Sequence, residues 1–210
     1  MAPGEGRRVY NTVVGELEIY THPCVYEPAE DSLLAIKAVK QLADEGYQPG
    51  IILELGIGTG IISVAASRLF PQAFLIGVDI NEYALRTARR NLESSNSTVI
   101  ACNWSSCIGG PVDLSIVNPP YLPVSDELEE CSLLSKAWSG SPGLLEDICS
   151  ELASISNAIV MIYSSLSGWS PRECLDRRGF RVIHLLEESY FMEKLYAVVA
   201  VRGKDWINSD

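Results

Sequence analysis

The sequence is short of positive charge. Sixteen Lys and Arg stand against 27 Asp and Glu, which gives a formal charge of −11 over 210 residues. So acidic a chain has no general means of neutralising phosphate backbones, and this argues against a nucleic-acid partner. Long apolar runs are also lacking. The longest, near Ala158–Tyr163 and Tyr196–Val201, are far too short to span a bilayer, so no membrane partner is expected. The first residues, Met-Ala-Pro-Gly-Glu-Gly, lack a basic segment followed by an apolar one, so no secretory signal is expected. Histidine is scarce, with only His22 and His184. The six cysteines (Cys24, Cys102, Cys107, Cys131, Cys149 and Cys174) contain no C-x-x-C pair. A self-contained zinc site is therefore not expected, and no metal is assigned to this chain. Without a secretion signal the cysteines read as reduced, mostly core residues of a cytoplasmic or nuclear protein.

What is present is a globular composition, 47% hydrophobic and 20% charged, in a length that fits one domain. There is no internal repeat and no low-complexity linker. Short apolar runs alternate with helical patterns, the signature of an α/β fold with a mostly parallel sheet. Helices are expected over Glu27–Glu45, Ile61–Phe70, Glu82–Leu92 and Leu144–Ile155, with Asn81 as an N-cap. Buried strands are expected at Ile51–Leu55, Phe74–Asp79, Val99–Cys102, Leu114–Val117 and Ala158–Tyr163. Ser170-Pro171-Arg172-Glu173 reads as a capping box opening a helix that Gly179 stops. Arg181–Leu186 and Leu195–Val201 then read as strands with no helix between them, so they should pair antiparallel. The expected organisation is one domain. Residues 1–47 form an N-terminal cap segment and helix, and residues 48–210 form a Rossmann-like core.

Glu54-Leu55-Gly56-Ile57-Gly58-Thr59-Gly60 follows the first buried strand directly and precedes a helix. Glycines there let a backbone turn sharply and approach a ligand. A dinucleotide fingerprint would need Gly or Ala at position 61, where Ile61 stands. The pattern instead resembles the first motif of S-adenosylmethionine-dependent methyltransferases. Asp79 ends the next strand, where a carboxylate can accept both ribose hydroxyls of a nucleoside. Glu54 is suited to lie near the cationic methionine portion of that cofactor.

Asn118-Pro119-Pro120-Tyr121 ends the fourth expected strand. Open α/β sheets bind ligands outside the carboxyl ends of their strands, so this tetrapeptide faces the same crevice as the glycine loop. Its residue types suit methylation of a planar NH2 group, whose delocalised lone pair is a poor nucleophile. The Asn118 side-chain oxygen and the Pro119 carbonyl can each accept one N–H. That aims the nitrogen and stabilises its developing positive charge. The prolines hold the carbonyl rigidly, and Tyr121 offers a flat face for stacking. No strong base is required.

With these residues in place, the chain resembles the HemK/PrmC family of protein-glutamine methyltransferases. It looks closest to the eukaryotic and archaeal short form, which modifies the class I translation termination (release) factor. Val25-Tyr26-Glu27-Pro28-Ala29-Glu30-Asp31-Ser32 is similar to a segment specific to that branch. The lack of a helical N-terminal substrate domain points the same way. The resemblance implies a class I methyltransferase fold, with a seven-stranded mostly parallel sheet and a C-terminal antiparallel hairpin. It implies that Ser32, Glu54, Gly56, Gly58, Gly60, Asp79, Ile80, Asn103, Trp104 and Asn118 line the S-adenosylmethionine site, with S-adenosylhomocysteine as product. Asn103 stands where relatives usually carry an Asp accepting from the adenine amino group. An Asn carbonyl still accepts that bond, without charge assistance. Trp104 replaces a usual aliphatic residue, with stacking on adenine and a half-buried core role as its two readings.

The implied reaction is methylation of the glutamine amide in the factor's Gly-Gly-Gln motif, the factor being presented alone or with its GTPase partner. The implied companion is a small zinc-binding activator protein, forming a heterodimer. The third strand, Thr98-Val99-Ile100-Ala101-Cys102, lies at a sheet edge in this fold and is apolar and uncharged, a liability unless covered. The activator is expected to add a strand there. Adenine-N6 methylation of DNA or RNA is the alternative enzyme reading, opposed by the charge. Protein-lysine methylation suits the tetrapeptide less, because a lysine must first lose a proton. A non-catalytic scaffold is argued against by Asn118 and Asp79. The acidic loop Leu122–Gly143 reads either as a solvated loop or as an attractor of a basic substrate surface.

Overall fold

Five short apolar runs pair in parallel, most of them joined by a helical segment long enough to cross back over the sheet. The computed structural model describes residues 6–120 and 142–203. Its elements run β1 Gly6–Thr12, β2 Gly15–Thr21, α1 Glu30–Asp44, β3 Ile51–Leu55, α2 Ile61–Leu69, β4 Phe74–Asp79, α3 Glu82–Asn91, β5 Ser97–Ala101, β6 Val112–Val117, α4 Pro142–Ile155, β7 Ser156–Ser164, α5 Arg172–Arg177, β8 Phe180–Ser189 and β9 Lys194–Arg202. The large sheet has seven strands in the order β5-β4-β3-β6-β7-β9-β8. The five from β3 to β7 are parallel, and β9 runs antiparallel to both neighbours.

The alternation of side chains along the strands divides the core in two. Ile52, Leu75, Leu114, Ile116, Val160 and Val199 join α1, α2 and α3 on one face. Leu53, Val78, Val117, Ile159, Met161 and Val198 join α4 and α5 on the other. Such strands are buried on both faces, which is why they read as continuous apolar runs. The fold is the class I methyltransferase α/β architecture expected from the sequence.

Four details differ from expectation. The first helix opens at Glu30, not Glu27, because Pro28 disfavours helical backbone at the residue before it and Ala29 is extended. The hairpin β1–β2 was hidden by its mostly polar composition, although Leu17, Ile19 and Thr21 alternate inward. The capping box does not form: the Ser170 hydroxyl accepts the Arg172 N–H, while the Glu173 carboxylate lies 3.8 Å from Arg177. The cysteines are not all reduced. Cys102 and Cys107 form a disulfide, because the turn after β5 brings their Cα atoms to 6.0 Å, and Cys24 is also disulfide-bonded. Cys149 and Cys174 are free and buried, as the core reading requires.

Candidate active site

The register of the sheet assembles the site. Leu55 pairs with both Val78 and Val117, so Gly56 and Asn118 leave adjacent strands at one level. Asp79 pairs with Ala101, which brings the 102–107 turn to the same rim. Gly56, Gly58 and Gly60 all have positive φ, between 53° and 78°. A Cβ on Gly56 would meet nothing within 4 Å, so open space stands over the loop where a ligand can approach.

Asp79 ties this loop to β4. Its Oδ2 accepts the Gly58 N–H at 3.1 Å and its Oδ1 accepts the Asn81 N–H at 2.9 Å. Burial pushes its carboxyl up, while the backbone N–H groups of Asn81, Gly58 and Ile80 oppose that shift. Glu54 is 3% exposed, and its carboxylate accepts the Ser63 hydroxyl of α2. Desolvation pushes its pKa up to about 8, against the Ser63 hydrogen bonds and with help from the charge of Asp79. A buried carboxylate poised this way is stabilised by a nearby cation, which fits the sulfonium and ammonium groups of S-adenosylmethionine.

Asn118 follows β6 directly. Its Oδ1 is shielded from solvent and has no hydrogen-bond partner. Pro119 is buried beside it. Tyr121 and nearly all of the acidic loop lie outside the described residues. Ser32 is buried in the first turn of α1, where its N–H and hydroxyl both donate to Asp31 Oδ1. Asn103 is exposed, and Trp104 is half-buried against the α4 side of the core with φ 54°. The next residue is anchored: Ser105 donates both its N–H and its hydroxyl to Glu151 of α4. The β5 strand is the sheet edge, as expected, although Cys102 falls just beyond it. Arg89 of α3 donates to the Val99 carbonyl at 2.9 Å.

Sequence reasoning missed four supporting residues. Ser63 orients Glu54. Gly77 leaves room for Ile57, whose Cδ1 would lie 2.0 Å from a Cβ there. Asp31, 4% exposed, accepts the Tyr26 hydroxyl at 2.9 Å. Asn91 joins three segments: it exchanges hydrogen bonds with the Tyr20 backbone at 2.8 and 3.0 Å and donates to the Thr59 carbonyl at 2.8 Å. Only Asp31 had a signal in the sequence, inside the Glu-Pro-Ala-Glu-Asp-Ser segment.

A glycine loop after the first parallel strand, a carboxylate at the tip of the second and an orphan amide oxygen at the fourth thus meet at one rim of the sheet. The methyltransferase small domain family matches residues 16–132. A Methanocaldococcus jannaschii protein provisionally named a protein N5-glutamine methyltransferase is 32% identical over 160 residues, covering 72% of this chain and 78% of its own length. Mouse methyltransferase HEMK2 is 35% identical over 55% of this chain and 58% of its own length. A release factor glutamine methyltransferase of Bradyrhizobium diazoefficiens is 38% identical over 50% of this chain and 37% of its own. Among solved structures, the Thermus thermophilus 16S rRNA N2 G1207 methyltransferase, in complex with AdoMet and guanosine, has a TM-score of 0.71 at 14% identity, over 95% of this chain and 51% of its own. The last is a likeness of fold. The chain belongs to the methyltransferase small domain family and, within it, to the HemK-like protein-glutamine methyltransferases. It is an enzyme that uses S-adenosylmethionine.

Proposed function

We propose that the chain methylates the side-chain amide of the glutamine in the Gly-Gly-Gln motif of the class I translation termination factor, in the cytoplasm, as the catalytic subunit of a heterodimer with a small zinc-binding activator. The whole chain then acts as one methyltransferase domain, with residues 1–47 capping the core.

The observation that carries this reading is the buried, unpartnered Oδ1 of Asn118. An acceptor without a donor is costly in a desolvated site and calls for an N–H from a ligand. A primary amide has two N–H groups, and the Pro119 carbonyl supplies the second acceptor. S-adenosylmethionine supplies an electrophilic methyl group on a sulfonium. Asn118 and Pro119 hold the amide nitrogen with its lone pair facing that methyl and stabilise the charge that grows as the N–C bond forms and the S–C bond breaks. The nitrogen then sheds its proton to water, because an alkylated amide cation is strongly acidic. Asp79 and the glycine loop are suited to the ribose and methionine portions, and Glu54 balances the positive charge. The apolar β5 edge supports a strand added by the activator.

The test is to incubate the co-purified heterodimer with S-adenosylmethionine and the termination factor, then map added methyl groups by tandem mass spectrometry. A methyl on the Gly-Gly-Gln glutamine, lost in Asn118→Ala while cofactor binding persists, is the expected result. No methyl on that glutamine despite cofactor binding would overturn the substrate.

A further inference from the structure

The rim of the sheet divides into two halves. Glycine loop, Asp79 and the 102–107 turn occupy the β3-β4-β5 half. A substrate therefore reaches Asn118, at the end of β6, over β7, β9 and β8. The turn between β8 and β9 stands on that approach, because Leu195 of β9 registers with Ser164, the last residue of β7. It lies two strand spacings from β6, about 10 Å. The backbone groups of Tyr190 and Glu193 close it at 2.7 and 3.3 Å.

This turn projects Phe191, fully exposed, and Met192, 79% exposed. Leu166, 56% exposed, follows β7 on the same rim, and the Ser165 hydroxyl beside it accepts the Lys194 N–H. The segment with Tyr26, 60% exposed, and Glu30 leads into α1, which is tied to this hairpin by the ion pair between Lys37 of α1 and Glu188 of β8. The Tyr190 hydroxyl donates to Glu188 at 2.7 Å, the same carboxylate that Lys37 pairs with. Apolar groups presented together at a site mouth mark a contact surface.

The charges beside them are unbalanced. Glu187 is paired with Lys194, and Glu188 with Lys37. Glu30 and Glu193 have no ion-pair partner among the described residues, and one carboxylate oxygen of Glu193, Oε1, is shielded from solvent and accepts no hydrogen bond. Two carboxylates without a cation partner leave negative charge at this turn, which a Lys or Arg from outside would balance.

Building on the function proposed above, we infer that the β8–β9 turn, with Tyr26 and Glu30, forms a docking lip for a basic segment of the protein substrate, its apolar side chains on Phe191 and Met192 and a Lys or Arg on Glu193. The zinc-binding activator is a poorer occupant, because its proposed edge, β5, lies at the opposite end of the sheet from β8.

The experiment uses the heterodimer, the intact termination factor and a short Gly-Gly-Gln peptide. Phe191→Ser/Met192→Ser and, separately, Glu193→Lys are assayed at about 50 mM and about 300 mM salt. Both are expected to raise KM for the intact factor about tenfold or more, with kcat and cofactor Kd within about twofold, and to leave the short peptide unaffected. Glu193→Lys is also expected to flatten the salt dependence. Phe191 is fully exposed, so the double variant should melt like the wild type. Wild-type KM in both variants would overturn the lip while leaving the glutamine reaction standing. A wild-type self-association that the double variant abolishes would make a second copy the occupant and also overturn it. No methylation of the factor by the wild type would overturn the function and the lip together.

Discussion

The Asp79 carboxylate and the Gly58 N–H meet at 3.1 Å across the mouth of two strands. One side chain thus sets the height of the glycine loop, and on the function proposed above it also accepts from a ribose. Asp79→Asn keeps one acceptor but loses the charge and offers an N–H where the loop already donates. Cofactor affinity is expected to fall roughly 10- to 100-fold, the worth of one or two charge-assisted hydrogen bonds, and the melting temperature to fall as well, because one backbone N–H loses its acceptor. Isothermal titration calorimetry checks it; an unchanged Kd would remove Asp79 from the cofactor site.

Glu54 is expected to make stability fall with pH across the weakly acidic to neutral range. Its folded pKa of about 8 lies above the ordinary 4.5, so the folded state holds a proton that the unfolded state releases. Stability contributed by the protonated form is therefore full at low pH, erodes as pH rises past about 4.5 and is gone above about 8. Urea melts should show stability falling by several kcal/mol across that window, and Glu54→Gln should flatten the curve. A cation bound beside Glu54 expels that proton, so the affinity for S-adenosylmethionine is expected to rise between about pH 6 and pH 8, and Glu54→Gln to abolish the trend. A parallel pH dependence in the variant would place the effect elsewhere.

Gly77 and Ile57 are coupled by space. A methyl at Gly77 would sit 2.0 Å from Ile57 Cδ1, and overpacking of that kind costs about 1–3 kcal/mol. Gly77→Ala is expected to lower the melting temperature and, by lifting Ile57, to weaken cofactor binding. Adding Ile57→Ala should restore part of both losses. A double-mutant cycle reads the coupling, and strict additivity would show that the loop does not lean on β4 at this point.

The cysteines are distinguishable chemically. Alkylation of the native protein is expected to spare Cys102 and Cys107, and to label both after reduction. Cys149 and Cys174 should react only on unfolding, since both are buried and burial raises the Cys149 thiol. Peptide mass mapping separates the groups; alkylation of Cys102 without reductant would rule out the bond.

The parallel strands, the glycine turn and the positions of Asp79 and Asn118 at strand ends were legible because each depends on local pattern: apolar runs near helices, glycines at fixed spacing, polar groups where apolar runs stop. What the sequence hid depends on packing. Gly77 is a bland strand glycine until Ile57 folds over it. Ser63 looks like any helix serine until α2 turns it toward Glu54. The bond between Cys102 and Cys107 follows from a turn that puts Trp104 in positive φ, which no pattern announces. The β1–β2 hairpin was obscured because Arg, Glu and Asn fill its outward positions, and its alternation is only three inward residues long. Ser170 and Glu173 carried the right letters for a capping box, but the helix opens at Arg172 with Pro171 as its N-cap, which leaves Ser170 one residue out of frame.

Asn91 gives the molecule a mechanical linkage. Its one carboxamide fastens the backbone of β2 and the carbonyl of Thr59, segments about forty residues apart in sequence, to the end of α3. Fraying of the amino-terminal hairpin is then expected to slacken the glycine loop, and a ligand seated against that loop to clamp the hairpin. In amide hydrogen exchange the two should open as one unit, with protection at Tyr20 rising when the crevice is filled although nothing bound there touches it.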